Sequence, residues 1–323
     1  MEPMNCTADV RADRCDVWVP TQAQTGARAA AAQASGLPES AVQIHTTFAG
    51  GGFGRRLEQD FVIEAVQLSK AVGAPVQALW TREDDMQHDF YRPANCTQLR
   101  AALDARGMPQ AWFQRIAGPR NALRGVTIPY AIDNVRVEQV EEDPGVPVGP
   151  WRSVGASQNG FTVECFIDEL AHAAGQDPLA YRLALLKQAP RHRAALQLAA
   201  DKAGWGKQLP AGHGRGIAVY ESFAGWVAHV VEVSVVRGVI RVLRVVSAVD
   251  CGTAVNPAGV RDQTESAITF ALTAALKGEI TIRDGRVEQG NFDDQPLLRL
   301  DELPVIEVHL VPSGEPPGGV GEP

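Results

Sequence analysis

Apolar positions recur with two periods along this chain, and the switches between them mark its elements. Between residues 21 and 80 the pattern predicts helix, strand, glycine loop, helix, strand. An Ala-rich run from Ala27 to Gly36 is followed by Val42, Ile44 and Thr46 on one strand face. That strand runs into Gly50-Gly51-Gly52-Phe53-Gly54. Phe61, Ala65, Leu68 and Val72 then recur at helical spacing, Gly73 reads as the stop, and Val76 to Trp80 reads as the next strand.

Further on, Ser157 to Ala174 reads as a helix with Ser157 at its N-cap, Phe161, Cys165 and Phe166 facing inward, and Gly175 ending it. Asp177-Pro178 starts a short helix to Lys187. The Gly-, Pro- and charge-rich stretch Gln188 to Gly214 reads as a connection, which places a domain boundary near residue 190, between a first lobe over 1–189 and a second over 190–323. Val227, His229, Val231, Val233 and Val235 alternate, Arg237-Gly238 turns, and Val239 to Val249 returns as the second strand of a hairpin. Asn256-Pro257 opens a helix to about Leu276, Asp284-Gly285 marks a second hairpin, and Val305 to Val311 is the last strand. Helices mixed with hairpins predict an α+β fold with mixed sheets.

Charge and composition narrow the function classes. The net charge of -8, with Lys and Arg dispersed, argues against a nucleic-acid partner. No apolar run approaches the roughly 18–20 residues that span a bilayer, so direct membrane insertion is not expected. Five cysteines without a C-x-x-C pair do not suit a disulfide framework, a zinc site or an iron–sulfur cluster. His229, on its alternating strand, reads as a core histidine rather than a ligand.

The glycine loop is the first candidate for chemistry. A strand that passes through such a loop into a helix offers backbone N–H groups and the positive helix end to an anion. Glycine clusters of this kind are as often tight turns. Neither G-x-G-x-x-G nor G-x-x-x-x-G-K-[ST] fits, because Arg55 stands where the former needs its third glycine and no Gly-Lys-Ser/Thr follows.

Five segments in order carry a resemblance: WVPTQ at Trp18 to Gln22, TTFAGGGFGRRLEQDFVIEA at Thr46 to Ala65, GPWRSVGASQNGFTVECFIDELA at Gly149 to Ala171, VDCGTAVNPAGVRDQ at Val249 to Gln263, and GGVGEP at Gly318 to Pro323. Together they resemble the molybdopterin-binding subunit of the xanthine dehydrogenase superfamily. EPMNCTA at Glu2, LWTREDDMQHDFYRPA at Leu79 and GRVEQGNFDD at Gly285 bring the chain nearest to the isoquinoline 1-oxidoreductase beta subunit branch. The resemblance implies two mixed α/β molybdopterin-binding lobes. It also implies oxidative hydroxylation of an N-heterocycle or an aldehyde, with water as the oxygen source.

The resemblance also assigns residues. Gln22 matches the glutamine that hydrogen-bonds an apical ligand of molybdenum. Gly51, Gly52, Phe53 and Gly54 match the loop beside the metal and the pterin. Arg152 matches the arginine beside the pterin, Gln158 helps shape that loop, and Gln263 falls at a pterin contact. Glu322 matches the general base, which takes a proton as oxygen attacks an electron-poor carbon. The molybdenum is held by the pterin dithiolene, so no protein ligand to the metal is expected. The implied cofactor is molybdopterin cytosine dinucleotide. A separate small subunit would carry [2Fe-2S] clusters, with a cytochrome c as a further candidate electron acceptor.

Some features depart from the family pattern. An M-G-Q-G-like element is not found, and family sequence continues beyond Gly-Glu-Pro, so the chain reads as a fragment, C-terminally truncated and inactive alone. A base next to Pro323 is expected to fray. Leu57 replaces an acidic residue of purine-oxidising relatives, which argues against xanthine as substrate. SAITFALTAAL, after Gln263, lacks the glycines common there. The competing reading is a non-catalytic, decayed relative that acts as a binding or scaffold protein. Whether the parent protein works in the cytoplasm or the periplasm is left open.

Overall fold

The computed structural model describes residues 1–143 and 145–322. The fold is α+β, and it divides into two compact units that interleave along the chain. The first comprises Met1–Pro93, Gly145–Arg152 and Glu279–Pro296; the second comprises Ala94–Pro144, Ser153–Gly278 and Leu297–Pro323. Residue 190 falls inside the second unit. Among the described residues no helix is long and apolar enough to cross a membrane.

In the first unit, β1 (Asn5–Val10), β2 (Cys15–Val19), β3 (Val42–Thr46) and β4 (Val76–Leu79) form a sheet in the order β3-β2-β1-β4. The β2–β3 pair is parallel and the other two pairs are antiparallel. Helices α1 (Gln24–Ser35) and α2 (Asp60–Val72) supply Ala27, Ala31, Phe61, Val62, Ala65 and Val66 to a core shared with Met4, Cys6, Ala8, Cys15, Val17 and Val19. Both helices end on left-handed glycines, Gly36 and, as the sequence predicts, Gly73, whose amides close onto Ala32 and Ser69. Thr81 and Asp84 form a capping box on α3 (Arg82–Gln87). The short ribbon of β11 (Ile282–Arg283) and β12 (Arg286–Val287) turns at Asp284-Gly285, as expected.

The second unit holds two further mixed sheets. In one, β5 (Cys96–Leu103) and β6 (Pro109–Gly118) are antiparallel, and β7 (Asn134–Glu141) lies parallel to β6. In the other, β8 (His213–Ser222), β9 (Gly225–Val236) and β10 (Val239–Asp250) form an antiparallel meander, with β13 (Val305–Leu310) parallel to β10. The β9–β10 hairpin turns at Arg237 and Gly238, both at positive φ, as the sequence predicts. Helix α7 (Pro257–Leu276) starts on an Asn256 cap and α5 (Pro178–Leu185) on an Asp177 cap.

Three local expectations are corrected. The stretch read as a connection contains α6 (Pro190–Ala203), a 14-residue helix that buries Ala195, Leu196, Ala199, Ala200 and Ala203. Its inward stripe is mostly alanine, a weak hydrophobic signal among Arg, His and Lys. Helix α4 (Ala156–Ala173) begins after Gly155, so Ser157 lies inside its first turn and makes no N-cap. Phe161 and Cys165 point to solvent, and the inward stripe is Asn159, Val163, Glu164, Phe166, Ile167 and Leu170.

Glu164 is tolerated inside because Arg182, on α5, meets it. Arg182 Nε donates to Glu164 Oε2 at 3.0 Å, the Val219 amide donates to the same oxygen at 2.9 Å, and Tyr130 Oη donates to Oε1 at 2.5 Å. Burial still pushes the Glu164 carboxyl up and the Tyr130 hydroxyl well up.

His229, on β9, is half-buried, with its Nδ1 turned away from solvent. Its Nδ1 is buried without a partner among the described residues, and burial pushes its pKa down to about 4. A histidine held neutral in the fold but free to charge when unfolded gives stability that is present above pH about 6.5 and is lost as pH falls toward 4. On the order of 3 kcal/mol should disappear over that interval, at about 1.4 kcal/mol per pKa unit. Urea unfolding of the parent and His229→Leu at pH 7 and pH 4 should therefore show the stability difference between them shifting in favour of the variant by about 3 kcal/mol at the lower pH, and a constant difference would refute the assignment.

Candidate functional site

The first unit gathers Gln22, the glycine loop and Arg152. The loop after β3 does not pass straight into a helix, contrary to the sequence reading. A 3-10 turn at Arg55–Leu57 intervenes and α2 starts only at Asp60, so the loop amides have no helix end behind them. They are held by the protein itself: Gly54 N–H donates to Gln22 Oε1 at 3.1 Å and Gly50 N–H to Glu2 Oε2 at 2.5 Å. Gly54 cannot be replaced cheaply. Its φ is 100°, and a Cβ there would lie 2.3 Å from the Pro150 carbonyl oxygen.

Two arginines that the sequence reading passed over build this loop. The Arg55 side chain is fully buried; it meets both Asp60 oxygens at 2.9 and 2.6 Å, bonds Asp89, and lies 4.9 Å from the Phe90 ring centroid. Burial pushes the Asp89 carboxyl up to about 6, against the pull of Arg55. Arg56 donates to the carbonyls of Pro20, Glu2 and Pro3 at 3.0 to 3.2 Å. Its own carbonyl accepts the Gln22 N–H at 3.0 Å. The WVPTQ segment is thereby clamped from both sides of its turn. Doubled arginines after a glycine loop are the only signal, since the acceptors lie far away in the chain.

Gln22 is exposed, and its Nε2 donates to nothing among the described residues because only the oxygen is taken. Phe53 adopts φ 50°, and its carbonyl accepts the Arg152 N–H at 2.9 Å. The Arg152 guanidinium is buried, 5.9 Å from the Phe53 ring centroid, and the Arg152 carbonyl accepts from Arg92 at 2.9 Å.

The second unit holds Gln158, Gln263 and Glu322. Gln158 lies in the first turn of α4 with its Nε2 buried and unpartnered among the described residues. Gln263 is exposed on α7. Glu322 Oε2 accepts the Ser153 N–H at 2.5 Å. The expected fraying is not observed. Gly318 N–H bonds Cys251 O at 2.8 Å, Gly319 N–H bonds Phe223 O at 2.7 Å, and Val320 packs beside Val227, Val249, Cys251 and Val260. A Cβ on Gly318 would lie 1.9 Å from the Ala224 carbonyl oxygen. Pro323, the last residue of that motif, lies outside the described residues. Ser153 and Val154 both adopt positive φ, 65° and 45°, a conformation that costs non-glycine residues on the order of 1–3 kcal/mol each.

In the first unit the donors suit an oxygen-rich anionic cofactor: among the described residues Gln22 Nε2 is an unspent donor at the loop, and Arg152 is a permanent cation with a planar fork. In the second unit Gln158 Nε2 is a buried donor without an acceptor among the described residues. Among the described residues no group of three or more His, Cys, Asp or Glu is placed to hold a metal ion.

Comparison with known proteins gives the arrangement its relatives. A family model described as a molybdopterin cofactor-binding domain matches residues 1–184, and a second of the same description matches 158–304. The isoquinoline 1-oxidoreductase subunit beta of Brevundimonas diminuta is 30% identical over all of this chain and 44% of that protein. A membrane-bound aldehyde dehydrogenase [pyrroloquinoline-quinone] of Gluconacetobacter polyoxogenes is 31% identical over all of this chain and 48% of that protein. The chain thus spans less than half the length of these two curated relatives. Among solved structures, quinoline 2-oxidoreductase from Pseudomonas putida 86 superposes with a TM-score of 0.86 at 15% identity, covering 100% of this chain and 69% of that one. Aldehyde oxidoreductase from Desulfovibrio gigas superposes with a TM-score of 0.79 at 14% identity, covering 99% and 55%. These two share the fold.

Proposed function

Because the chain belongs to the molybdopterin-binding subunits of the xanthine dehydrogenase family, we propose that it serves in oxidative hydroxylation of an N-heterocycle or an aldehyde. The observation that carries this reading is the Gln22 carboxamide, pinned by its oxygen to the Gly54 N–H with its Nε2 left to donate. The reaction balances as R–H plus water giving R–OH, two protons and two electrons. The molybdenum cofactor, when bound, supplies the two-electron redox chemistry and brings its own dithiolene sulfur ligands.

The residues do the rest. In the first unit, Gln22, Gly51, Gly52, Phe53, Gly54 and Arg152 hold and orient the cofactor, with Arg152 offsetting its negative charge. In the second, Gln158 and Gln263 donate or accept hydrogen bonds to it, and Glu322 takes a proton from the attacking water at a carboxylate oxygen and releases it to solvent. The cofactor form is the cytosine dinucleotide. Electrons leave to a small [2Fe-2S] partner subunit and from there to an acceptor such as a cytochrome c.

Metal and nucleotide analysis of the protein from its native host tests this. Molybdenum, a fluorescent oxidised pterin after acid release, and CMP on hydrolysis are expected together, and Gln22→Ala should lower the molybdenum content. Protein without molybdenum or pterin would favour a binding or scaffold role. Another nucleotide would correct the cofactor form alone.

A further inference from the structure

We propose that the left-handed turn at Ser153 and Val154 is a carboxylate holder, which pins Oε2 of Glu322 through the Ser153 N–H and leaves Oε1 to take the proton. The proposal rests on the reading of Glu322 as the base. Its evidence is the backbone. Ser153 and Val154 take successive left-handed φ of 65° and 45°. The carboxylate of Glu322 accepts the Ser153 N–H at 2.5 Å.

Neither residue type favours this conformation, and β-branched Val154 is a clear outlier in it. The turn persists because its surroundings over-determine it. A Cβ on Gly155 would lie 1.7 Å from the Arg124 carbonyl oxygen, so the chain can pass there only as glycine. The Ala156 N–H closes onto the Ser153 carbonyl at 2.9 Å. Asn159 Nδ2, buried, ties down the carbonyls of Ala122 and Arg124 at 3.1 and 3.0 Å. The Ser153 hydroxyl is bonded to the Ser157 hydroxyl. Local strain maintained in this way, at a residue whose amide holds a candidate base, marks a positioning role rather than a packing accident.

Pinning one oxygen narrows the range of positions open to the carboxylate. The proton then arrives at a single, oriented atom, the condition under which general-base catalysis is efficient. Ser153 acts through Glu322 and is a positioning residue.

Amide-resolved hydrogen exchange by NMR on the 323-residue chain tests the holder without any cofactor. The Ser153 amide should exchange slowly, and Glu322→Ala should speed it by about tenfold or more, the loss expected for a charge-assisted hydrogen bond. Ser153→Gly, which keeps the N–H and eases the positive φ, should retain slow exchange. In the cofactor-loaded protein, replacing the amide by an ester at residue 153 removes only the donor, and should lower kcat by about tenfold with KM unchanged. Unaltered Ser153 exchange in Glu322→Ala, or an ester variant with the parent's kcat, overturns the proposal. Normal turnover in Glu322→Gln would instead remove the base assignment, while the exchange measurement still decides whether the turn holds the carboxylate.

Discussion

Glu322→Gln in the cofactor-loaded protein is expected to lower kcat by about 10²- to 10⁴-fold, the usual contribution of a positioned general base. The substitution is chosen for what it preserves. A glutamine side-chain oxygen still accepts the Ser153 N–H that Glu322 Oε2 accepts at 2.5 Å, so residue 322 stays anchored. Anchoring does not depend on the carboxylate alone, because Gly318 and Gly319 are bonded to Cys251 and Phe223. What is lost is the ability to take a proton. Molybdenum content and melting temperature should therefore match the parent while turnover of an N-heterocyclic or aldehyde substrate collapses. Turnover within a factor of about two would place proton transfer elsewhere.

The largest effect on stability is expected from Arg182→Met. The Arg182 side chain is fully buried, and it is the cation for Glu164 at 3.0 Å and for Asp168 at 2.5 Å. Asp168 is 44% exposed and can turn to water, but Glu164, at 6%, cannot. Removing one partner of a buried pair strands the other charge, which costs roughly 3–5 kcal/mol. For a unit of this size that lowers the melting temperature by on the order of 10 °C. Adding Glu164→Leu and Tyr130→Phe should recover much of the loss, because the network is then replaced by apolar groups instead of broken. A single substitution costing under about 1 kcal/mol would show that Glu164 protonates without penalty, and the pair would then contribute little.

How much of this was legible beforehand depended on how local each signal is. The left-handed stop at Gly73, the Asp177 and Asn256 caps, and the turns at Arg237-Gly238 and Asp284-Gly285 are encoded within a few residues, and the structure contains all of them. Helix α6 was missed because alanine carries its buried stripe. The first two strands were passed over because alternating polar residues such as Asn5, Thr7 and Asp16 dilute their apolar face, and their partners lie in other segments. Arg55 and Arg56 read as surface charges until Asp60, Asp89 and three distant carbonyls are brought to them. Nothing in a Ser-Val dipeptide announces positive φ, so the turn that meets Glu322 was invisible. Gln22 and Glu322 were picked out by family resemblance, since as isolated residues a glutamine and a carboxylate near a chain end carry no chemistry of their own.

The sheet built on β10 imposes an order of events during synthesis. Its parallel neighbour β13 begins at Val305, some 55 residues after β10 ends at Asp250, and residues 279–296 in between belong to the other unit. At about 5–20 residues per second the ribosome needs roughly 3 to 11 s to deliver that strand. Throughout this interval one edge of β10 offers unpaired amides and carbonyls, with Val239 and Ile240 near its start exposed even in the finished fold. A nascent chain stalled between residues 250 and 305 would carry an open template for pairing with its neighbours on a polysome, and chaperone demand should peak there.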